Sequence, residues 1–321
     1  MAAFLLSGGA CADDASFDAG VTPDTGARDA GSAPDAFTPH DASDATIDAA
    51  AIDAGGEADG NVPDAGPVPS RCAVEGGALR CARRTETLFT GFTGLVPREV
   101  HWQVPLGEPP ADGWPVVFVF QGSLFTAELF WLAFDTDAFG YWNQVRLIQA
   151  LLDGGFAVLT PEAKVGGATA WDTNIPPASV AWESSADHRF MLDLFDAIEE
   201  GRFGPLDPNR WYATGISSGG YMTSRMDEAY RSRFRALAIH SASYATCAGA
   251  VCAVPDSVDA AHLPTLFLHG TADLVVPAST MELYRDRLDA LGVETQTLTE
   301  PVGHAWLDAA PDAIAAWFRV R

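Results

Sequence analysis

From residue 114 onward, short apolar runs alternate with stretches in which apolar residues recur every three to four positions. The first run, Trp114–Phe120, reads WPVVFVF, and such unbroken apolar sequence is typical of a strand buried on both faces. Further strands are predicted at Phe156–Leu159, Trp211–Thr214, Ala236–Ile239, Thr265–Leu268 and Gln296–Leu298. Helical patterns cover Val145–Leu152, Arg189–Glu200, Tyr221–Tyr230, Met281–Leu291 and Ala313–Phe318. The alternation predicts an α/β fold with a mostly parallel central sheet and helices on both of its faces.

Residues 12–70 have a different composition and consist almost wholly of Ala, Asp, Gly, Pro, Ser and Thr. They contain twelve Asp and one Glu against a single Arg, and this net charge of −12 is half of the formal net charge of −24. Because so few apolar side chains cannot offset the entropy of ordering, this segment is predicted to be a disordered linker. Residues 71–321 are long enough to form one large domain. The acidic balance argues against nucleic acid or an anionic membrane surface as a partner.

The first eleven residues, MAAFLLSGGAC, lack the basic leader and the long apolar stretch of a complete secretory signal. They resemble the end of a bacterial lipoprotein signal, in which small residues precede a lipid-modified cysteine. Gly8 departs from that pattern, which favours an aliphatic residue three positions before the cysteine. We therefore expect a truncated export signal, with Cys11 as the lipidation site and a secreted, extracellular or cell-surface protein as the product.

The four other cysteines form two local pairs, Cys72 with Cys81 and Cys247 with Cys252. Pairs that close short loops are typical of disulfides in an oxidising compartment, in agreement with export. Zinc is the alternative, but neither pair has the close spacing or the clustered histidine of a zinc site. Two disulfides and no metal are expected.

Residues 215–219 read GISSG and match the motif G-x-S-x-G directly between a predicted strand and a predicted helix. In that context the motif indicates a sharp strand-to-helix turn that exposes a nucleophilic serine. Ser217 occupies the central position. A nucleophilic Ser218 would instead put Ile216 where the first glycine belongs. The alternative is an ordinary glycine-rich turn.

A serine hydroxyl needs an imidazole to accept its proton, and a carboxylate to orient that imidazole. In the α/β-hydrolase fold these groups follow the serine in the order acid, then histidine. Asp273 lies in the loop after the strand at 265–268, and His304 lies in the last loop before the terminal helix. His269 and His240 are interpreted as structural. The predicted catalytic triad is Ser217, Asp273 and His304.

Two backbone N–H groups are predicted to form the oxyanion hole. One belongs to Ser218, and the other is assigned to Ser123, with Gly122 as the alternative, in the loop after the strand at 114–120. Gln121 stands where many hydrolases have a histidine. Trp171 and Trp182 lie in a segment rich in Gly, Pro and Trp and are expected to border the acyl pocket, although a purely structural loop is equally compatible with the sequence.

Four segments together resemble extracellular polyhydroxyalkanoate depolymerases, in particular those that act on medium-chain-length polyesters. They are Gly215–Met226 (GISSGGYMTSRM), His240–Cys252 (HSASYATCAGAVC), Leu268–Pro277 (LHGTADLVVP) and Gly303–Trp306. The resemblance runs from about Ala111 to the C-terminus. It implies an α/β-hydrolase fold and hydrolysis of a hydrophobic polyester through an acyl-enzyme on Ser217, without metal or organic cofactor. The alternatives are a general carboxylesterase or feruloyl esterase acting on small esters, and an exported non-catalytic binding protein.

Overall fold

A computed structural model of the chain describes residues 69–91, 96–163 and 170–321. The signal-like segment 1–11 with Cys11, and residues 12–68 of the expected linker, lie outside the described residues. Within the described part of the chain, no helix combines the length and the apolarity needed to cross a membrane.

The described residues form eleven strands and five α-helices. The strands are β1 Cys72–Glu75, β2 Ala78–Cys81, β3 Arg84–Thr90, β4 Val96–Gln103, β5 Trp114–Phe120, β6 Leu132–Phe134, β7 Ala157–Pro161, β8 Leu206–Ile216, β9 Phe234–His240, β10 Thr265–Gly270 and β11 Thr295–Glu300. The helices are α1 Tyr141–Asp153, α2 Ala186–Glu199, α3 Ser218–Tyr230, α4 Ala278–Ala290 and α5 Ala310–Arg319.

The main sheet has eight strands in the order β11-β10-β9-β8-β5-β7-β4-β3. The six strands from β11 to β7 are parallel to one another, whereas β4 is antiparallel to both β7 and β3. A small antiparallel sheet, β1-β2-β6, accompanies it. The predicted mostly parallel sheet is confirmed, and all six predicted strands are present. The antiparallel strands β1 to β4 and β6 were not predicted.

The sheet separates two apolar cores, as the pattern of β5 requires. Val116, Phe118 and Phe120 face one core, while Val117 and Val119 face the other, because successive side chains of a strand point to opposite faces. Helices α2, α3 and α4 pack on the first face, and α1 and α5 pack on the second. The predicted covering of both faces is therefore confirmed.

Both expected cysteine pairs are disulfide-bonded. Cys72 and Cys81 face each other on β1 and β2, with an S–S distance of 2.02 Å. Cys247 and Cys252 are joined at 1.99 Å in the connection between β9 and β10.

The carboxyl ends of the parallel strands bring the predicted site together. The loops that follow Phe120, Ile216, Gly270 and Glu300 leave the same edge of the sheet and carry, in that order, residues 121–125, Ser217, Asp273 and His304. Ligand sites of parallel sheets lie at this edge.

Candidate active site

Ser217 occupies a strained turn between β8 and α3. Its backbone has φ 57° and ψ −121°. Residues other than glycine rarely adopt this conformation, and it occurs mainly at functional positions. Two hydrogen bonds hold the turn: the Ser217 N–H donates to the His240 carbonyl at 3.0 Å, and the Tyr221 N–H donates to the Ser217 carbonyl at 3.0 Å. The conformation lifts the serine out of both the strand and the helix.

The glycines on either side of this turn allow α3 to approach the sheet directly. A Cβ at Gly219 would lie 2.0 Å from the carbonyl oxygen of Phe120, and one at Gly215 would lie 2.6 Å from the carbonyl oxygen of Gly219. Neither position has room for a side chain. The motif therefore reflects backbone packing as well as chemistry.

The carboxylate of Asp273 is buried and holds the ring of His304. Asp273 Oδ2 lies 2.7 Å from His304 Nδ1. Asp273 Oδ1 accepts the N–H groups of Val275 and Val276, both at 2.8 Å. Because two backbone donors fix one oxygen, the other is positioned to accept the Nδ1 proton. The Nε2 atom of His304 is then left with the lone pair that a general base needs.

Ser217 and His304 line one cavity of about 280 Å³, together with Gly122 and Ser123. The other lining residues are Leu124, Phe125, Phe139, Tyr141, Gln144, Ile216, Val275 and Trp306. The structure thus brings the predicted serine, histidine and oxyanion loop to a single space, with Asp273 behind the imidazole. The side chain of Ser218 is buried and its Oγ accepts the Trp171 N–H at 2.8 Å, which leaves only the backbone of Ser218 for the predicted oxyanion hole.

Two buried histidines support the loops that carry Asp273 and His304. His240 Nε2 accepts the N–H of Leu307 at 3.0 Å, so its Nδ1 carries the proton that faces Ser241 Oγ at 3.0 Å. His269 Nε2 donates to the Val276 carbonyl at 2.8 Å. Burial lowers the pKa of His269 and lowers the pKa of His240 well below its ordinary value. Both rings have the structural contacts expected from the sequence.

The loop after His304 is also anchored to the start of α1 through Trp306. The Trp306 N–H donates to the Phe139 carbonyl at 3.0 Å, and its indole Nε1 donates to Gln144 Oε1 at 2.8 Å. Gly140 permits this approach, since a Cβ there would lie 2.4 Å from the Trp306 carbonyl oxygen. Residues that line the cavity thus also hold the loop of the imidazole.

Comparison with known proteins agrees with this geometry. The chain is 47% identical over 250 residues to the poly(3-hydroxyoctanoate) depolymerase of Pseudomonas fluorescens, and the alignment covers 77% of this chain and 88% of that enzyme. The chain belongs to the poly(3-hydroxyoctanoate) depolymerase family. It is therefore a carboxylic ester hydrolase, and the resemblance noted in the sequence is confirmed.

Solved structures show the same fold in more distant proteins. The S-formylglutathione hydrolase of Staphylococcus aureus is 14% identical with a TM-score of 0.52, covering 79% of this chain and 98% of that one. A hyperthermophilic esterase from the archaeon Pyrobaculum calidifontis is 15% identical with a TM-score of 0.51, covering 74% and 83%. Both support the α/β-hydrolase fold expected for this depolymerase-family chain. No model of a protein family matches the sequence.

In this member of the depolymerase family, Gln121 has a role that the sequence did not reveal. Its side-chain oxygen accepts the Ala163 N–H at 3.3 Å, and its amide nitrogen donates to the Phe125 carbonyl. Its backbone carbonyl accepts the indole N–H of Trp171 at 3.1 Å. The side chain therefore braces the loop that is predicted to supply the oxyanion hole. A glutamine can do so because it both donates and accepts.

The structure corrects the expectation that Trp171 and Trp182 border the acyl pocket of the depolymerase-family site. Both side chains are buried in the core, and neither lines the cavity that holds Ser217. The indole N–H of Trp182 donates to Tyr230 Oη at 3.1 Å. The two tryptophans pack behind the oxyanion loop and α3, because their N–H groups find protein partners on that side.

A buried ion pair completes this rear region. Arg98 Nη2 lies 3.0 Å from Asp187 Oδ1, and Asp187 Oδ2 accepts the Asp172 N–H at 2.7 Å. Burial raises the pKa of Asp187 to about 6, against the opposing charge of Arg98. The Arg98 guanidinium also lies 4.0 Å from the centre of the Phe190 ring. The pair ties the segment at 172–187 to β4.

Proposed function

We propose that this chain is an extracellular enzyme that hydrolyses the ester bonds of a poly(3-hydroxyalkanoate) through an acyl-enzyme on Ser217. The observation that carries the proposal is the single apolar-walled cavity onto which both Ser217 and His304 open, in a chain nearly half identical to a poly(3-hydroxyoctanoate) depolymerase. The order and spacing of the predicted triad support the same reaction class.

In the proposed reaction, His304 Nε2 takes the proton of Ser217 Oγ as that oxygen attacks the ester carbonyl carbon. The negative oxygen of the tetrahedral intermediate accepts hydrogen bonds from the backbone N–H groups of Ser123 and Ser218. When the intermediate collapses, the alcohol-side C–O bond breaks and the imidazolium returns its proton to the departing oxygen. Water then attacks the acyl-enzyme by the same route and releases the acid.

A polymer is favoured over a small soluble ester by the mouth of the cavity. Leu124, Phe139 and Val275 line the cavity and are exposed, and Leu274 beside them is 95% exposed. We call these four residues the apolar rim. Exposed apolar side chains around a site are typical of surfaces that bind other apolar surfaces. A water-insoluble polyester is such a surface, and the rim supports docking without a separate binding domain.

Clearing of a polyhydroxyoctanoate latex tests the proposal against the esterase alternatives. The expected result is clearing by the wild-type protein, with hydrolysis of short nitrophenyl esters as a secondary activity and little turnover of methyl ferulate. Rapid hydrolysis of nitrophenyl esters without any clearing of the latex would indicate a general carboxylesterase. Preference for methyl ferulate would indicate a feruloyl esterase.

Export is proposed from the sequence of residues 1–70. In this proposal Cys11 carries a lipid anchor, and the acidic linker 12–70 tethers the catalytic domain 71–321 to a surface. Mass spectrometry of the native protein tests the anchor, since lipidation adds the mass of acyl chains at Cys11. An unmodified Cys11 in the native protein contradicts it.

A further inference from the structure

Two polar side chains of α1, Tyr141 and Gln144, line the cavity beside the proposed nucleophile. Apart from them, from Ser123 and from the catalytic Ser217 and His304, the lining side chains are apolar or aromatic. Neither residue is needed for the proton transfers described above. Their hydrogen-bonding groups therefore call for a separate explanation.

The amide group of Gln144 has a fixed orientation. Its side chain is buried, at 3% exposure, and its Oε1 accepts the indole N–H of Trp306 at 2.8 Å. An indole N–H can only donate, so the oxygen of the amide must face Trp306 and the NH₂ group must point the other way. Among the described residues, that NH₂ group has no hydrogen-bond acceptor.

The hydroxyl of Tyr141 has the same character. Its Oη atom is buried and makes no hydrogen bond within the described part of the chain. The ring packs edge-on against Phe125, with ring centres 4.9 Å apart. Burial raises the pKa of this phenol, which keeps the proton on the oxygen. A buried donor without a protein partner can hydrogen-bond to a ligand or to an ordered water.

We infer that the Gln144 amide and the Tyr141 hydroxyl read the oxygen atom on C3 of the substrate's acyl unit. This inference rests on the proposed function. A 3-hydroxyalkanoyl unit differs from a plain alkanoyl unit by one acceptor oxygen, two carbons away from the carbonyl that Ser217 attacks. Tyr141, Gln144 and Ser217 line one small cavity, so an acyl unit bound there lies against the first turn of α1. A plain alkanoyl chain leaves both donors unpaired, and sites built to hydrogen-bond a substrate oxygen discriminate against analogues that lack it.

The test compares ethyl 3-hydroxyoctanoate with ethyl octanoate, using the full-length protein and measuring acid release at constant pH. Tyr141→Phe removes only the hydroxyl, and Gln144→Met removes the amide with little change in size. The quantity of interest is the ratio of kcat/KM for the hydroxylated ester to kcat/KM for the plain ester. We expect the ratio to fall about tenfold in each variant, the effect of losing one hydrogen bond.

Trp306→Phe is a second test, because it breaks the bond that orients the Gln144 amide but keeps the amide itself. It loosens the loop of His304 and so lowers kcat/KM for both esters, and the freed amide is expected to lower the ratio by less than Gln144→Met does. A ratio that stays within about twofold of the wild-type value in both Tyr141→Phe and Gln144→Met overturns the inference. That outcome leaves both esters hydrolysed by the wild-type protein, whereas a failure of the proposed function leaves the latex uncleared.

Discussion

Two stretches of this chain, residues 122–144 and residues 170–187, look alike as sequence and differ as structure. Both combine aromatic residues with Gly, Pro or small polar residues, and both follow strands of the parallel sheet. The first lines much of the cavity and contributes two of the four residues of the apolar rim, Leu124 and Phe139. The second is packed behind the oxyanion loop, where Trp171 and Trp182 are buried. Residues 122–144 face the proposed substrate, whereas residues 170–187 pack behind the loop at residues 121–125.

The difference lies in the partners of the polar groups. In the rear region the indole N–H groups of Trp171 and Trp182 and the carboxylate of Asp187 are all paired within the protein. In the cavity wall, the Tyr141 hydroxyl is left without a partner among the described residues. Aromatic content therefore does not locate a binding site.

The neighbouring serines provide the sharpest contrast between the two regions, since Ser217 faces the cavity and the hydroxyl of Ser218 faces the rear. Ser217→Ala is expected to lower kcat by about 10⁶-fold with the fold intact. Ser218→Ala is expected to retain catalysis and to lower the free energy of unfolding by about 1–3 kcal/mol, because the Trp171 N–H loses its acceptor. Nitrophenyl ester kinetics and urea denaturation measure the two effects. The reverse result, with Ser218 essential and Ser217 dispensable, would show that the register of the elbow is wrong.

Asp273→Asn should lower kcat by about 10⁴-fold, since the amide holds the His304 ring in the wrong tautomer for accepting a proton. The substitution keeps the size of the side chain, so the melting temperature should change much less than the rate. Kinetics on a soluble ester and thermal denaturation of the same preparation separate the two effects. Full activity in this variant would transfer the role of the acid to another residue.

Asp187→Asn is expected to act on stability rather than on chemistry. It leaves the buried Arg98 without its partner, and breaking a buried ion pair costs about 3–5 kcal/mol. The matched control is Asp286→Asn, which breaks an exposed pair with Arg285 and should change the unfolding free energy little. Urea denaturation of both variants measures the difference. Equal stability of the two variants would mean that the rear pair is not structural.

The smallest expected effect distinguishes the apolar rim from other exposed apolar residues. Leu274→Ser should slow latex clearing several-fold, because it removes apolar contact with the polymer surface, while leaving the hydrolysis of a soluble ester unchanged. Val180→Ser is the control, since Val180 is 86% exposed but belongs to the rear stretch. An equal loss of latex clearing in both variants would contradict a specific role of the apolar rim in binding the polymer.

The sequence predicted the parts of the molecule whose backbone requirements are strict. The wholly apolar β5 and the glycines around Ser217 admit few alternatives, and the chain order then selected Asp273 and His304. Helix α1 shows the limit of this approach. Its predicted start, Val145, lies four residues after the observed start at Tyr141. The N-cap is Gly140, with φ 70°, and no capping side chain marks this position in the sequence. The missing turn contains both Tyr141 and Gln144.

The antiparallel strands were missed for a related reason. Strand β3, which reads RTETLFT, lies at an edge of the sheet and contains only two apolar residues, Leu88 and Phe89. Such a short, half-exposed pattern resembles a loop unless its partner strand is known. Trp171 and Trp182 were expected at the pocket because the sequence gives their size but not the acceptors, the Gln121 carbonyl and the Tyr230 hydroxyl, that hold them in the core.

The double attachment of Trp306, to Phe139 and to Gln144, has a consequence for redesign. Substitutions in α1 that widen the cavity for a substrate with a bulkier side chain also weaken the attachment of the loop that carries His304. Changes in α1 that alter substrate selectivity are therefore expected to alter the catalytic rate as well. Variants with a broader range of polyesters should be sought first at Leu124 or Val275, whose exposed apolar side chains line the cavity.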